Sequence, residues 1–108
     1  MTVGELAQKL DLKVMIEGDL SREITGGYVG DLLSWVMGRA QEGDAWITVM
    51  GNVNAIAVAV LTDAACIILS EGSPLDDDAR NKAESQEVTV LHSDKSSFDL
   101  SVAVAGLL

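Results

Sequence analysis

Two hydrophobic rhythms alternate along the chain. Leu6 and Leu10 lie one helical turn apart, and the Thr2-Val3-Gly4-Glu5 before them has capping-box spacing: Thr2 accepts from the Glu5 amide while Glu5 reaches back. Lys13 to Ile16 is a short β-type run, closed by Glu17, Gly18 and Asp19. A Gly-rich stretch, Ser21 to Asp31, reads as a strand-to-helix connection, with Asp31 placed to cap the helix that Leu32, Leu33, Trp35, Val36 and Met37 mark; Gly43 marks its exit. Trp46 to Met50, rich in β-branched and aromatic residues, predicts a strand punctuated by Gly51 and Asn52.

The run from Val53 to Leu61 alternates like a strand, but its length and the Asn52 cap favour a helix. A strand there would also leave no crossover before the next one. Cys66 to Leu69 predicts a buried strand. Ser73-Pro74 predicts a helix start with proline at the first helical position, and places Asp76, Asp77 and Asp78 in the first turn, where the macrodipole favours acid. Those three aspartates are therefore read as capping residues, not as a cation site. Val88 to Leu91 is the last expected strand, and Ser96 or Ser97 caps a final apolar helix.

Strands at 13–16, 46–50, 66–69 and 88–91, about twenty residues apart, fit right-handed crossovers. The expected architecture is a single three-layer α/β/α domain over residues 1–108, with a mostly parallel sheet of at least four strands. In such a sheet the strand exits share one edge, where ligands collect. Four polar or Gly-containing loops are expected there: Gly18 to Gly27, Gly51-Asn52, Ser70-Glu71-Gly72 and His92-Ser93-Asp94. Ordinary strand-to-helix turns use the same residues.

Composition narrows the partners. The chain is 48% apolar but only 4% aromatic, so its core is aliphatic. Seventeen acids against seven bases give a net charge of −10, which repels nucleic acid and anionic lipid. The longest candidate span, Val53 to Leu69, is broken by Asn54, Thr62 and Asp63, so no membrane segment is expected, and the first residues lack the basic region of a signal peptide. A single cysteine, Cys66, excludes an internal disulfide and fits a buried role in a reducing, cytoplasmic setting.

Catalytic chemistry finds little support. The Gly-rich stretch has no lysine after Gly26, Gly27 or Gly30, so it is no Walker loop, and its G-G-x-x-G spacing is not the dinucleotide fingerprint. What remains is Arg22 with Thr25, Gly26 and Gly27 before a helix N-terminus, a set able to hold a carboxylate or phosphate. The only histidine, His92, adjoins Ser93 and Asp94, but neighbours on a strand point to opposite faces and make no triad. No His/Cys cluster has metal-ligand spacing, so neither a catalytic set nor a metal site is expected.

The segments Arg22 to Met37, Ala45 to Leu61, Cys66 to Pro74 and Val88 to Val104 together resemble the DRTGG domain family, over about residues 12 to 106. Members include relatives of the N-terminal domain of HPr serine kinase, domains within phosphate acetyltransferases, and domains beside CBS modules in pyrophosphatases whose assembly responds to adenine nucleotides. The family's name describes an Asp-Arg after one central strand and a Thr-Gly-Gly after the next. Here those positions hold Asn52-Val53 and Ser70-Glu71-Gly72, a change that removes donor capacity and adds negative charge. The resemblance implies a non-catalytic regulatory or ligand-sensing domain that dimerises, and it makes Arg22, Thr25, Gly26 and Gly27 one wall of a site shared with Gly51, Asn52, Ser70, Gly72 and His92. The expected ligand is a small metabolite or nucleotide. The alternative is a protein-interaction adaptor without a small ligand, using the acidic face and the apolar helices around Ala55–Leu61 and Ser101–Leu108, which either bury within the domain or meet a second subunit.

Overall fold

The computed structural model describes residues 1–108, and its elements follow the order α1 (Val3–Lys9), β1 (Lys13–Ile16), β2 (Gly26–Val29), α2 (Leu33–Arg39), β3 (Asp44–Thr48), α3 (Val53–Thr62), β4 (Cys66–Leu69), α4 (Asp77–Gln86), β5 (Val90–His92) and α5 (Ser97–Ala105). Local chemistry starts most of the helices. The Thr2–Glu5 capping box forms in both directions, at 3.1 Å and 2.9 Å. Asn52 accepts from the Ala55 amide at 2.9 Å, Asp76 from Ala79 at 2.8 Å and Ser96 from Asp99 at 3.1 Å. Each cap satisfies an amide that has no partner within its helix.

The five strands lie in the order β1-β5-β4-β3-β2. Strands β2 to β5 run parallel and β1 pairs antiparallel with β5, with a register break between Val14 and Ile16. The sheet separates two apolar clusters. On one face α1 and α5 supply Val3, Leu6, Leu100 and Val104 against Ala45, Ile47, Cys66, Ile68 and Leu91. On the other, α2, α3 and α4 supply Val36, Ile56, Ala59, Ala79 and Ala83 against Trp46, Ile67, Leu69 and Val90. Because helices cover both faces, every residue of β3 and β4 is buried, which explains their unbroken apolar reading. Cys66 lies among them, and burial pushes its thiol up to about 12. No helix is long and apolar enough to cross a membrane.

Several expected boundaries move. The stretch from Ser21 to Asp31 contains a strand, β2, paired with β3 from Gly26↔Asp44 to Val29↔Ile47. Its two glycines hid the β pattern. Asp31 does not cap α2; the N-cap is Leu32, without a side-chain bond, and the Asp31 carboxylate instead accepts from the Thr48 hydroxyl (2.8 Å) and the Val49 amide (2.9 Å). The strand expected at 46–50 runs from 44 to 48, and the last strand from 90 to 92. Pro74 does not open α4: the chain runs on without helix through Leu75 and Asp76 is the cap, so only Asp77 and Asp78 lie in the first turn. The apolar helices α3 and α5 are buried along one side only. Val53, Val60 and Leu61 of α3, and Phe98 and Val102 of α5, remain exposed.

Candidate functional site

Strand direction decides which groups share an edge. Because β1 is antiparallel, its C-terminal end meets the N-terminal end of β5, where Ile16 pairs with Val90. The loop from Gly18 onward therefore starts at the entry end of the parallel strands, the opposite end from their exits. Arg22 and Thr25 lie there, and Gly26 pairs with Asp44 at the first residue of β3. Gly51, Asn52, Ser70, Gly72 and His92 all lie at the exit end. A four-residue strand spans about 13 Å, so the expected nine-residue site divides into two groups on opposite ends of the sheet.

At the entry end Arg22 is already engaged. Its guanidinium donates to the Asp63 carboxylate and to the Asp63 carbonyl, both at 2.8 Å. Asp63 is the C-cap of α3 in the left-handed region (φ 55°), so the arginine also meets the negative end of that helix. The hydrogen bond from Arg22 holds the Asp63 carboxyl below the usual carboxylate range and raises the arginine's own pKa. Thr25 donates to the Glu42 carbonyl at 3.1 Å. The cation that the sequence offers for a ligand is thus a helix-end clasp.

At the exit end the loops bond to one another. Ser70 is fully buried and its hydroxyl lies 2.6 Å from that of Ser97 at the start of α5. Ser70 to Ser73 form a turn closed by a 3.0 Å bond from the Ser73 amide to the Ser70 carbonyl, with Glu71 (φ 60°) and Gly72 (φ 65°) both left-handed, the sign pattern of type I′. The Glu71 and Gly72 amides then donate to the Lys95 and Ser93 carbonyls at 2.8 and 3.0 Å. The Glu71 carboxylate accepts the Ser97 amide at 2.8 Å and so occupies the N-terminal end of α5, where the dipole favours an anion. Gly51 packs so closely that a Cβ would lie 1.9 Å from the Pro74 carbonyl oxygen. His92, half-buried at the end of β5, stands level with Leu69 and Lys13.

That last pairing exposes what the sequence reading missed. Reversing β1 takes Arg22 away from the exit end and brings Lys13 to it, beside His92 in register, while Lys95 follows β5 in the adjoining loop. Only an expectation of β1 direction would have found Lys13. Glu71 stands out in the sequence only as a departure from a motif, and its place on α5 follows from the turn that carries it. No group of three or more His, Cys, Asp or Glu side chains is placed to hold a metal ion. The surface clefts lie elsewhere: beside Gly18 and Glu84, around Arg22 and Asp63, at Thr25 and Glu42, and between β2 and α5.

Comparison with known proteins agrees with the fold. One solved structure, the CBS and DRTGG domains of the regulatory region of Clostridium perfringens pyrophosphatase complexed with the activator diadenosine tetraphosphate, superposes with a TM-score of 0.71 at 14% identity. The match covers 95% of this chain and 45% of that one, so the chain spans less than half of its length. No curated protein matches the sequence significantly. The sequence matches the DRTGG domain family over residues 5–107, nearly its whole length, and the chain belongs to that family.

Proposed function

We propose that this chain is a non-catalytic regulatory domain that binds a small metabolite or nucleotide at the exit end of its parallel strands. The observation that carries the reading is the convergence there of the loops after β3, β4 and β5, with His92, Lys13 and Lys95 as the polar and basic groups around Ser70 and Gly72. Family membership and the nucleotide-bound regulatory region of similar fold support it. Asn52 and Ser70 already spend polar atoms internally, so Lys13, Lys95 and His92 carry the recognition in this copy. Arg22, Thr25, Gly26 and Gly27 stand at the far end and take no part in this contact.

A thermal-shift panel of nucleotides, acyl phosphates and common cofactors tests it. A ligand at a hundred times its Kd adds about 2.7 kcal/mol, a rise of about 10 °C or more for a domain of this size. The shift should disappear in a Lys13→Ala/Lys95→Ala variant and persist in Arg22→Ala. Glu71→Gly, which takes the carboxylate off α5, should strengthen an anionic ligand. No shift with any compound at millimolar concentration would overturn the proposal. A second reading, an interaction adaptor without a small ligand, is favoured by the internal bonding of the exit loops; under it the panel is silent for every variant. We also propose a homodimer, tested by mass in solution.

A further inference from the structure

We propose that the outer edge of β2 is where two copies of this chain meet, strand against strand about a two-fold axis. Strand β2 closes one side of the sheet, and its outer edge has no partner in the chain. From Ile24 to Gly30 the sequence contains no charge and no proline, and its pairing with β3 runs without a bulge. Those are the usual devices that protect a free edge, and all are missing.

The walls beside this edge are apolar too. Gly27 and Val29 share the α5 face with their register partners Ala45 and Ile47. The missing side chain of Gly27 helps to leave a groove of about 380 Å³ between the strand and α5, lined by Val29, Ile47, Val104 and Leu108. Val29 is 52% exposed and Leu108 is exposed beside it. On the opposite face, where Tyr28 packs against the second cluster, Leu32 and Trp35 are exposed at the start of α2, and the Arg39 guanidinium stacks 3.7 Å from the centre of the Trp35 ring. Tyrosine, tryptophan and arginine are the residues that most often anchor interfaces.

Charge selects the occupant. At −10, two copies repel across most of their surface. This side is uncharged along the strand, and α5 carries only Asp99, so here like molecules approach with least repulsion. A strand edge is also complementary to itself: antiparallel pairing about a two-fold axis matches each N–H with a C=O, whatever the side chains. The product is a continuous ten-stranded sheet, five strands from each copy, with the side chains of one copy entering the groove of the other.

The inference rests on the homodimer reading and not on the ligand site. Light scattering on the full chain at about 100 µM, where a micromolar complex is nearly saturated, should give twice the 11.4 kDa of one chain. Val29→Glu puts a carboxylate on each side of the two-fold axis and should weaken assembly about a hundredfold. Its far-UV circular dichroism and melting temperature at low concentration should match those of the parent, because position 29 is exposed. Val14→Glu on the other edge strand, also at an exposed valine, should leave assembly unchanged. A monomeric parent chain would overturn the dimer as such. A dimer indifferent to both Val29→Glu and Trp35→Glu would overturn this surface.

Discussion

The two ends of the sheet are finished by different means. At the exit end, loops close on one another: the turn at Ser70–Ser73 bonds the loop after β5, its carboxylate caps α5, and Gly51 packs against the Pro74 backbone. At the entry end, side chains tie down the connections: Arg22 holds Asp63 at the end of α3, Thr25 reaches the Glu42 carbonyl before β3, and the Thr89 hydroxyl donates to the Glu17 carbonyl after β1 at 2.7 Å. The exit end depends on close backbone approach and side chain to backbone bonds, whereas the entry end adds to such contacts an ion pair in water. The more polar-looking loop, with the arginine, thus ties down a helix end, while the ligand site proposed above lies at the end whose loops are themselves tied together.

Substitutions can separate the two ends. The largest effect is expected from Gly51→Val, whose Cβ would overlap the Pro74 oxygen at 1.9 Å. Moving that loop should cost about 3 kcal/mol or more, read as a lowered urea midpoint. Gly18→Ala is the counterpart at the entry end. The backbone there is left-handed (φ +53°) and a Cβ would lie 2.7 Å from the Thr89 amide nitrogen, so a loss of about 2 kcal/mol is expected. Equal losses at both would break the contrast.

Asp31→Ala should cost about 1–3 kcal/mol, because the Thr48 hydroxyl, 1% exposed, and the Val49 amide lose their acceptor. Asp31→Asn, which keeps an acceptor oxygen, should restore most of it. Arg22→Ala sits at the bottom of the scale. It should cost at most about 1 kcal/mol, since the pair with Asp63 is partly exposed and screened by solvent and salt.

Acid should act on the entry end. The Asp63 carboxyl is held below its unfolded value by Arg22, so its stabilisation is complete above the unfolded pKa near pH 4 and fades as pH falls through the lower folded value. Asp19, bonded to the Ser21 hydroxyl and amide, shifts the same way, as does Glu5 through its bonds to Thr2. Amide protection factors, corrected for the intrinsic exchange rate at each pH from about 5 to about 3, should fall first around Thr2–Gly4 and Arg22–Thr25, and Arg22→Ala should remove the Asp63 share. A uniform loss of protection at both ends would argue that charge does not distinguish them.

Local chemistry made much of the fold readable. The Thr2–Glu5 box and the caps at Asn52, Asp76 and Ser96 depend on neighbours three residues away, and β4 declares itself through four apolar residues in a row. Alternating helices and strands implied a parallel sheet covered on both sides, and family membership followed from most of the chain.

Tertiary structure decided the rest, because strand direction and edge position are properties of pairing between distant segments. Nothing between Lys13 and Ile16 encodes that β1 runs against β5, yet that reversal sends Arg22 to one end and Lys13 to the other. Gly26 and Gly27 carry no side chains to show a strand, so β2 exists through its register with β3. Asp31 lies one residue before a helix cap, but the buried Thr48 hydroxyl and the Val49 amide that it serves come from the end of a strand seventeen residues away, brought close only when the sheet forms.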